Sequence, residues 1–275
     1  MTEPIVLYEH PLSPYAQKIR ILLREKDLPF ETRLPKRLGS GGDNPELAEL
    51  NPRLEVPALV HAGQAIFDST IILEYLEETF PAPAMMPPTP AARARMRMIE
   101  EVCDTHWEAI NWGLGEIRFF RRGGERLGPG LRQAAVAHVG HMHAWLESLL
   151  GTAPWLAGAQ FGWGDLSALP FATMSSMFGI DPPAGSAVAR WLERSRQRVS
   201  VSRTVDEALA TIPGMDSIAG QLKAGAFRRQ FRDHRLEWMI RAGGLQVVID
   251  GLARGDIRFT DTARFAGGGN TETPP

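Results

Sequence analysis

The stretch IVLYEHPLSPYAQKIRILLREK, residues 5–26, joins a short apolar run to an amphipathic helix through a proline-containing turn. IVLY is typical of a buried strand because it is brief, apolar and followed at once by turn residues. Ser13 and Pro14 are the residue types preferred just before a helix and at its first position. Beyond them, apolar and charged side chains occupy opposite helical faces. The charged face carries Lys18, Arg20, Arg24, Glu25 and Lys26.

The next sixty residues continue this alternation of strands and helices. FETRL (30–34) predicts a second strand, and PALVH (57–61) and QAIF (64–67) predict a hairpin closed by Ala62 and Gly63. DSTIILEYLEETF then opens with Asp68 and Ser69, which are favoured at helix starts. The order β-α-β, (α)-β-β-α predicts a small α/β domain over residues 1–82.

A proline-rich segment, PAPAMMPPTP, separates this unit from a region of long helical patterns. The patterns predict an all-α domain over residues 90–213, with helices at 90–121, 130–150, 164–178, 186–198 and 201–211. Residues 214–275 predict a helical extension that ends in the polar sequence GGGNTETPP, for which we expect disorder.

Composition excludes several classes of function. The 275 residues carry 30 basic and 32 acidic side chains, so the basic excess of a nucleic-acid-binding protein is absent. The single cysteine, Cys103, allows no intramolecular disulfide and fits a reducing compartment. The chain shows no secretory signal pattern and no apolar run of roughly 18 residues, so we expect a cytoplasmic protein without a membrane partner. His138 and His141 lack a third ligand nearby, and no metal site is predicted.

Three segments resemble the cytosolic glutathione transferase family, over about residues 4–212. LSPYAQKIRILLREKDLPFE is similar to the first active-site turn of the serine-type branch, NPRLEVPALVHAGQAIFDSTIILEYLEETFP to the glutathione cradle, and GWGDLSALPF to a helix start in the second domain. The resemblance implies a thioredoxin-like α/β domain followed by an all-α helical-bundle domain with a C-terminal helical extension. It also implies a homodimeric detoxification enzyme that uses glutathione as co-substrate and acts on a hydrophobic electrophile.

The turn before the first predicted helix holds the predicted catalytic residue. A thioredoxin-type redox turn has two cysteines here, whereas this chain has Ser13 and Ala16, so dithiol exchange is excluded. A helix N-terminus favours a bound anion, and a serine hydroxyl can donate to a thiolate. The resemblance therefore implies that Ser13 stabilises the glutathione thiolate. Two alternatives stay open: Ser13 is only a helix cap, or Tyr8, placed like the donor of the tyrosine-type branch, supplies the hydroxyl.

Other segments supply the predicted glutathione contacts. The resemblance implies a cis bond between Val56 and Pro57, which exposes backbone groups to the cysteinyl peptide. Asp68 and Ser69 open a helix, where backbone N–H groups suit the γ-glutamyl carboxylate and Asp68 suits the γ-glutamyl ammonium. For the glycyl carboxylate the chain offers three cations, and Glu55 would oppose them. The three are Lys36, Arg37 and Arg53.

Residues for the electrophile are less distinctive. Tyr15, just inside the first helix, is predicted to line the pocket. His106 and Trp107 lie on the helix that lines the acceptor pocket in relatives, although their spacing is equally that of a core. In the second domain, Gly162 stands where the family usually has serine or threonine, so the capping box with Asp165 is incomplete.

These features predict an enzyme that directs a glutathione thiolate at an electrophile, by conjugation, displacement or isomerisation through a glutathione adduct. Two alternatives remain. One is a non-catalytic relative that uses the fold as an interaction module. The other is a glutathione-dependent reductase, which the absence of a cysteine at position 13 disfavours.

Overall fold

The computed structural model describes residues 3–36, 38, 44–215, 217–224, 233–257, 263 and 266. Within these residues one mixed sheet forms, with strand order β2-β1-β3-β4. Its strands are β1 Ile5–Tyr8, β2 Phe30–Arg33, β3 Ala58–His61 and β4 Gln64–Phe67. β1 and β2 are parallel, as a connection through a helix requires, and the other two pairs are antiparallel.

The hairpin between β3 and β4 fixes the register of these two strands. Ala62 and Gly63 both have positive φ angles, 51° and 72°, which suit a two-residue turn that matches strand twist. In this register Tyr8, Ala58 and Phe67 lie side by side on three neighbouring strands. The predicted α/β architecture is confirmed, and the ends of these strands determine where the site forms.

Helices make up the rest of the secondary structure in the described residues. Those that accompany the sheet are α1 Pro14–Glu25, α2 Pro45–Leu50 and α3 Ser69–Thr79. The helical region contains α4 Pro90–Val102, a π-turn Cys103–Trp107, α5 Glu108–Arg118, α6 Gly124–Leu150, α7 Trp163–Met177, α8 Ala187–Arg196 and α9 Val199–Leu209. After these come α10 Ile212–Met215, α11 Ile218–Lys223, α12 His234–Arg241 and α13 Leu245–Arg254.

Three of the five predicted helices agree with the structure to within two residues at each end, and the other two differ by more. The helix predicted at 90–121 contains the π-turn and ends at Arg118. The helix predicted at 130–150 begins at Gly124, because the Gly- and Pro-rich segment that signals a break is itself helical through Pro129. The polar tail predicted to be disordered, residues 267–275, lies outside the described residues. Among the described helices, none has the length and apolarity needed to cross a bilayer.

The charged face of α1 is buried, mainly against the helical region and, at its C-cap Lys26, against α3. Lys18, Arg20 and Lys26 are 0%, 4% and 6% exposed. Arg20 pairs with Glu207 of α9 at 2.5 Å, and Lys26 pairs with Glu77 of α3 at 2.8 Å. Buried charges are retained where partners compensate their lost hydration. α1 therefore joins the two halves of the chain by ion pairs on one face and by apolar packing on the other.

The start of α7 explains the glycine at position 162. A Cβ there would lie 2.7 Å from the carbonyl oxygen of Met85, whose linker passes directly over the helix start. That same oxygen accepts a hydrogen bond from the backbone N–H of Trp163 at 2.9 Å. Asp165 performs its half of the capping box by accepting from the backbone N–H of Gly162 at 3.0 Å. The linker thus replaces the side-chain cap that glycine cannot supply.

Candidate functional site

Three chain segments meet at one edge of the sheet. Because Tyr8, Ala58 and Phe67 are neighbours across three strands, the residues that follow β1, precede β3 and follow β4 leave the sheet at the same edge. Helices α1 and α3 both begin there, and helix starts carry unpaired N–H groups. The predicted site residues at this edge are Ser13, Val56, Pro57, Asp68 and Ser69.

Ser13 is the N-cap of α1 and is half-buried. Its Oγ accepts from the backbone N–H of Ala16 at 3.4 Å, which is long for a cap. The turn before it is held by two bonds: the N–H of Ser13 donates to the carbonyl of His10 at 2.8 Å, and the N–H of Leu12 donates to Nδ1 of His10 at 3.2 Å. Burial lowers the pKa of His10, which keeps this nitrogen an acceptor. As an acceptor in its cap bond, the Ser13 hydroxyl keeps its own hydrogen for another partner.

The bond between Val56 and Pro57 is cis, as the resemblance implied. Pro57 is buried and Val56 is half-buried at the entry to β3. A second cis bond joins Ala82 to Pro83 in the linker and was not predicted. Val56 and Pro57 directly precede Ala58, which pairs with Tyr8, so they lie at the end of the sheet from which the chain enters the Ser13 turn.

Asp68 and Ser69 open α3 at the same edge. Asp68 is the N-cap, with φ of 75°, and its carboxylate accepts from the backbone N–H of Thr70 at 3.1 Å. Ser69 is buried, whereas the Asp68 side chain is 43% exposed. Arg53 lies beside Asp68, with Nη1 3.8 Å from the carboxylate, and its guanidinium covers the Phe67 ring. Arg53 was predicted for the glycyl end of glutathione, but the structure places it next to the group predicted for the opposite end.

The predicted cations and the alternative donor have different surroundings. Arg37 lies outside the described residues, and the neighbouring Lys36 is exposed. Tyr8 is buried, and its hydroxyl accepts from Nη1 of Arg33 at 3.1 Å. Its hydroxyl is therefore engaged with the neighbouring strand β2.

The three residues predicted for the electrophile pocket lie outside the lining of the apolar cavity described below. Trp107 is fully buried, and its indole N–H donates to Oγ of Ser175 at 2.8 Å, so it belongs to the core of the helical region. Its burial and this hydrogen bond fit the core interpretation that its spacing left open. His106 is half-buried in the π-turn and does not line the apolar cavity described below. Tyr15 contacts the helical region, with its hydroxyl 2.8 Å from the carbonyl oxygen of Asp104.

A buried polar cluster beside the site was not predicted. Nζ of Lys18 donates to Glu100 at 2.9 Å and to both carboxylate oxygens of Asp104, at 2.9 and 2.7 Å. Glu100 also accepts from the hydroxyl of Thr70 at 2.9 Å and from the indole of Trp163 at 2.6 Å. Burial raises the pKa of Asp104 to about 6. The sequence signals a charged helix face here, but not which distant carboxylates cover it.

An apolar cavity of about 20 Å³ opens beside the turn that precedes α1. Its lining contains no charged side chain and includes two methionines. The lining residues are Leu12, Gln17, Pro170, Thr173, Met174, Met177, Val205, Ala208 and Leu209. In the described part of the chain, no three His, Cys, Asp or Glu side chains group as metal ligands would.

Comparison with known proteins relates these features to one family. Residues 7–84 match the family described as glutathione S-transferase, N-terminal domain. Maleylacetoacetate isomerase of Pseudomonas aeruginosa is 30% identical over 197 residues, which are 67% of this chain and 87% of that protein. FtsZ-localized protein A of Caulobacter vibrioides is 32% identical over 64% of this chain and 79% of its own length.

Solved structures give the same result. A glutathione S-transferase from Rhodospirillum rubrum F11 superposes with a TM-score of 0.65 at 28% identity, covering 73% of this chain and 91% of that one. One from Methylobacterium radiotolerans, in complex with glutathione sulfonate, has a TM-score of 0.59 at 28% identity, covering 74% and 94%.

Proposed function

The chain belongs to the glutathione transferase family, and on that premise we propose that it is a serine-type glutathione transferase that acts on a hydrophobic electrophile. The observation that carries the proposal is the placement of Ser13. Its hydroxyl caps α1 through one long bond, at the sheet edge where the cis-proline segment and the start of α3 also lie.

The chemistry begins with ionisation of the glutathione thiol. A free thiol with a pKa of about 8.5 is only a few per cent ionised at neutral pH. The start of α1 supplies a partial positive charge, and the Ser13 hydroxyl donates a hydrogen bond to the sulfur. Lowering the thiol pKa by two units corresponds to about 2.7 kcal/mol of preference for the thiolate.

The remainder of glutathione is held by the segments around this turn. Backbone groups of Val56 pair with the cysteinyl residue. The start of α3 binds the γ-glutamyl group, with Ser69 and its N–H at the carboxylate and Asp68 at the ammonium. Since Arg53 lies beside Asp68, we assign binding of the glycyl carboxylate to the segment that contains Lys36 and Arg37.

The electrophile binds on the helical side of the thiolate. The apolar cavity begins at Leu12, one residue before Ser13, and its lack of charged side chains favours an uncharged hydrophobic group. At about 20 Å³ it has room for about one water molecule, so an electrophile enters it only when the lining side chains move apart. Met174 and Met177 are flexible and polarisable, so they adapt to different shapes. Conjugation, displacement and isomerisation all proceed from the same thiolate and are equally open to this site.

We further propose a homodimer that works in the cytoplasm and requires glutathione but no metal. Two apolar side chains on neighbouring helices, Ile71 on α3 and Met98 on α4, are 56% and 67% exposed. Their exposure on adjoining helices provides apolar surface for a second copy of the chain.

Glutathione binding and thiolate formation test the proposal together. Calorimetry gives the affinity, and the ultraviolet absorbance of bound glutathione, titrated with pH, gives the thiol pKa. In Ser13→Ala we expect that pKa to rise by about two units, with glutathione still bound. Tyr8→Phe is the matched control and should leave it unchanged. If the parent protein does not bind glutathione, the proposed enzymatic activity is refuted. If the thiol pKa shifts in Tyr8→Phe alone, Tyr8 and not Ser13 is the thiolate donor.

A second candidate function is a non-catalytic interaction module. The observation in its favour is the similarity to FtsZ-localized protein A, a relative named for its place on another protein. The same measurements separate the two candidates, because an interaction module has no need to ionise the thiol. A reductase stays the weakest alternative, since Ser13 cannot form a mixed disulfide.

A further inference from the structure

The π-turn Cys103–Trp107 presents one backbone carbonyl to the first turn of α1. In this turn the N–H of Glu108 donates to the carbonyls of Cys103 and Thr105, five and three residues back, and not to that of Asp104, four residues back. The carbonyl of Asp104 accepts from the hydroxyl of Tyr15 at 2.8 Å. A regular α-helix would use that carbonyl within its own ladder. The irregular turn therefore creates an acceptor for the helix that begins at Ser13.

A second contact holds the same residue from the same helix. Lys18 lies three positions after Tyr15, on the same face of α1, and is 0% exposed. Its ammonium donates to both carboxylate oxygens of Asp104. Asp104 is thus held through its backbone by Tyr15 and through its side chain by Lys18. The Tyr15 ring also packs edge-on against Phe171 of α7, with 6.0 Å between centroids.

We propose that the π-turn positions the start of α1 through its contacts with Tyr15 and Lys18. Tyr15 is then a positioning residue for the thiolate bound at Ser13. The inference rests on the proposed function. Helix ends fray unless they are held, and Tyr15 is two residues from the hydroxyl that donates to sulfur. Electrostatic stabilisation depends on donors that are already aimed at the charge. Holding the first turn therefore contributes to catalysis without any contact between Tyr15 and the sulfur.

The neighbouring start of α3 is held through Glu100, which also accepts from Lys18 of α1, and Tyr15→Phe leaves both of these bonds in place. Glu100, on the turn of helix before the π-turn, accepts from Thr70, which follows Ser69. The γ-glutamyl group is therefore oriented by α3 and Glu100, and the thiolate is oriented by α1 and Tyr15. Removing the Tyr15 hydroxyl is expected to change the thiol pKa while leaving the affinity for glutathione nearly intact.

Tyr15→Phe tests the inference, with Tyr75→Phe as matched control. Tyr75 also uses its hydroxyl in a 2.8 Å hydrogen bond, to Nδ1 of His61, but this bond lies within the α/β unit, away from the site. The readouts are the ultraviolet pH titration of bound glutathione, its affinity by calorimetry, and kcat and KM with 1-chloro-2,4-dinitrobenzene. In Tyr15→Phe we expect the thiol pKa to rise by about one unit, which is about tenfold less thiolate at low pH.

The expected pattern in Tyr15→Phe is a kcat about tenfold lower below the thiol pKa, with glutathione affinity within about twofold of the parent. Tyr75→Phe should match the parent in all of these readouts. If Tyr15→Phe loses thermal stability but keeps the parent thiol pKa and pH profile, Tyr15 is structural only and the inference is wrong. A parent that binds no glutathione would instead refute the proposed function, so the two failures are distinguishable.

Discussion

At the starts of both α1 and α7, a polar side chain accepts hydrogen bonds from backbone N–H groups, but the two arrangements serve different purposes. At α7 the Asp165 carboxylate is fully buried and accepts from the N–H of Leu156 and of Gly162, both at 3.0 Å, and from the indole of Trp191 at 2.8 Å. At α1 the Ser13 hydroxyl is half-buried and accepts one backbone N–H at 3.4 Å.

The difference in hydrogen bonding distinguishes a helix start that stabilises the fold from one that can bind a ligand. A cap whose acceptors are all engaged contributes to stability and has nothing left for a ligand. A cap with a long bond and an unused hydrogen contributes little to stability and can bind an anion. Each prediction below changes one side of this comparison.

Asp165→Ala gives the largest expected effect. It leaves two buried N–H groups and a buried indole without an acceptor, each at a cost of about 1–3 kcal/mol, so we expect a loss of about 4 kcal/mol. Denaturant unfolding measures it. Asp206→Ala is the control, because Asp206 is 63% exposed and its pair with Arg196 is worth about 1 kcal/mol or less. Equal losses in the two variants would mean that the α7 cap is no more than a surface contact.

His143 is a buried histidine of the helical region, and its effect on stability depends on pH. It packs edge-on against Trp107, and its Nε2 has no hydrogen-bond partner among the described residues. Burial lowers its pKa from 6.5 to about 4. The neutral ring is favoured in the folded state, so its contribution is complete above pH 6.5 and is lost as pH falls towards 4. Over that window we expect a loss of about 3 kcal/mol.

His143→Phe isolates this effect. Burial raises the pKa of Asp165 to about 6, which gives stability the opposite slope in the same window. Because Asp165 is present in both proteins, only the difference between parent and variant reports His143. Between pH 7 and pH 4.5, denaturant unfolding should show a fall in stability for the parent relative to His143→Phe. His138→Phe is the control, because His138 is exposed on the same helix. If the unfolding free energies of parent and His143→Phe change in parallel with pH, the pH effect does not come from His143.

The sequence predicted the elements well because their signals are local. Strand runs, the turn at Ala62 and Gly63, and the Ser13 and Asp68 helix starts are each decided by a few neighbouring residues. The π-turn was missed because no short pattern marks it. Gly162 departs from the serine or threonine that the family usually has, and the sequence alone does not explain why. The structure does, because a Cβ at this position would collide with the carbonyl oxygen of Met85.

The site was predictable only in part, for the same reason. The segments that hold Ser13, Pro57 and Ser69 carry local signals, whereas Lys18 required a partner 82 positions away, Glu100. Trp107 shows the opposite difficulty, since an aromatic residue at helical spacing has the same pattern in a core and in a pocket. Tyr15 was predicted as a pocket residue, and its hydrogen bond to a carbonyl depends on an irregular turn in a distant helix.

The smallest stability effect is expected at Ser13. Ser186 caps α8 in the same way, with its Oγ accepting from the N–H of Ala189 at 3.0 Å. Ser186→Ala should cost about 1 kcal/mol, and Ser13→Ala less, because its bond is longer. The order should reverse for function, since Ser13→Ala raises the pKa of bound glutathione and Ser186→Ala leaves it unchanged. If Ser13→Ala destabilises the protein more than Ser186→Ala does and leaves the thiol pKa unchanged, Ser13 is only a structural helix cap. The functional difference between the starts of α1 and α7 would then be contradicted.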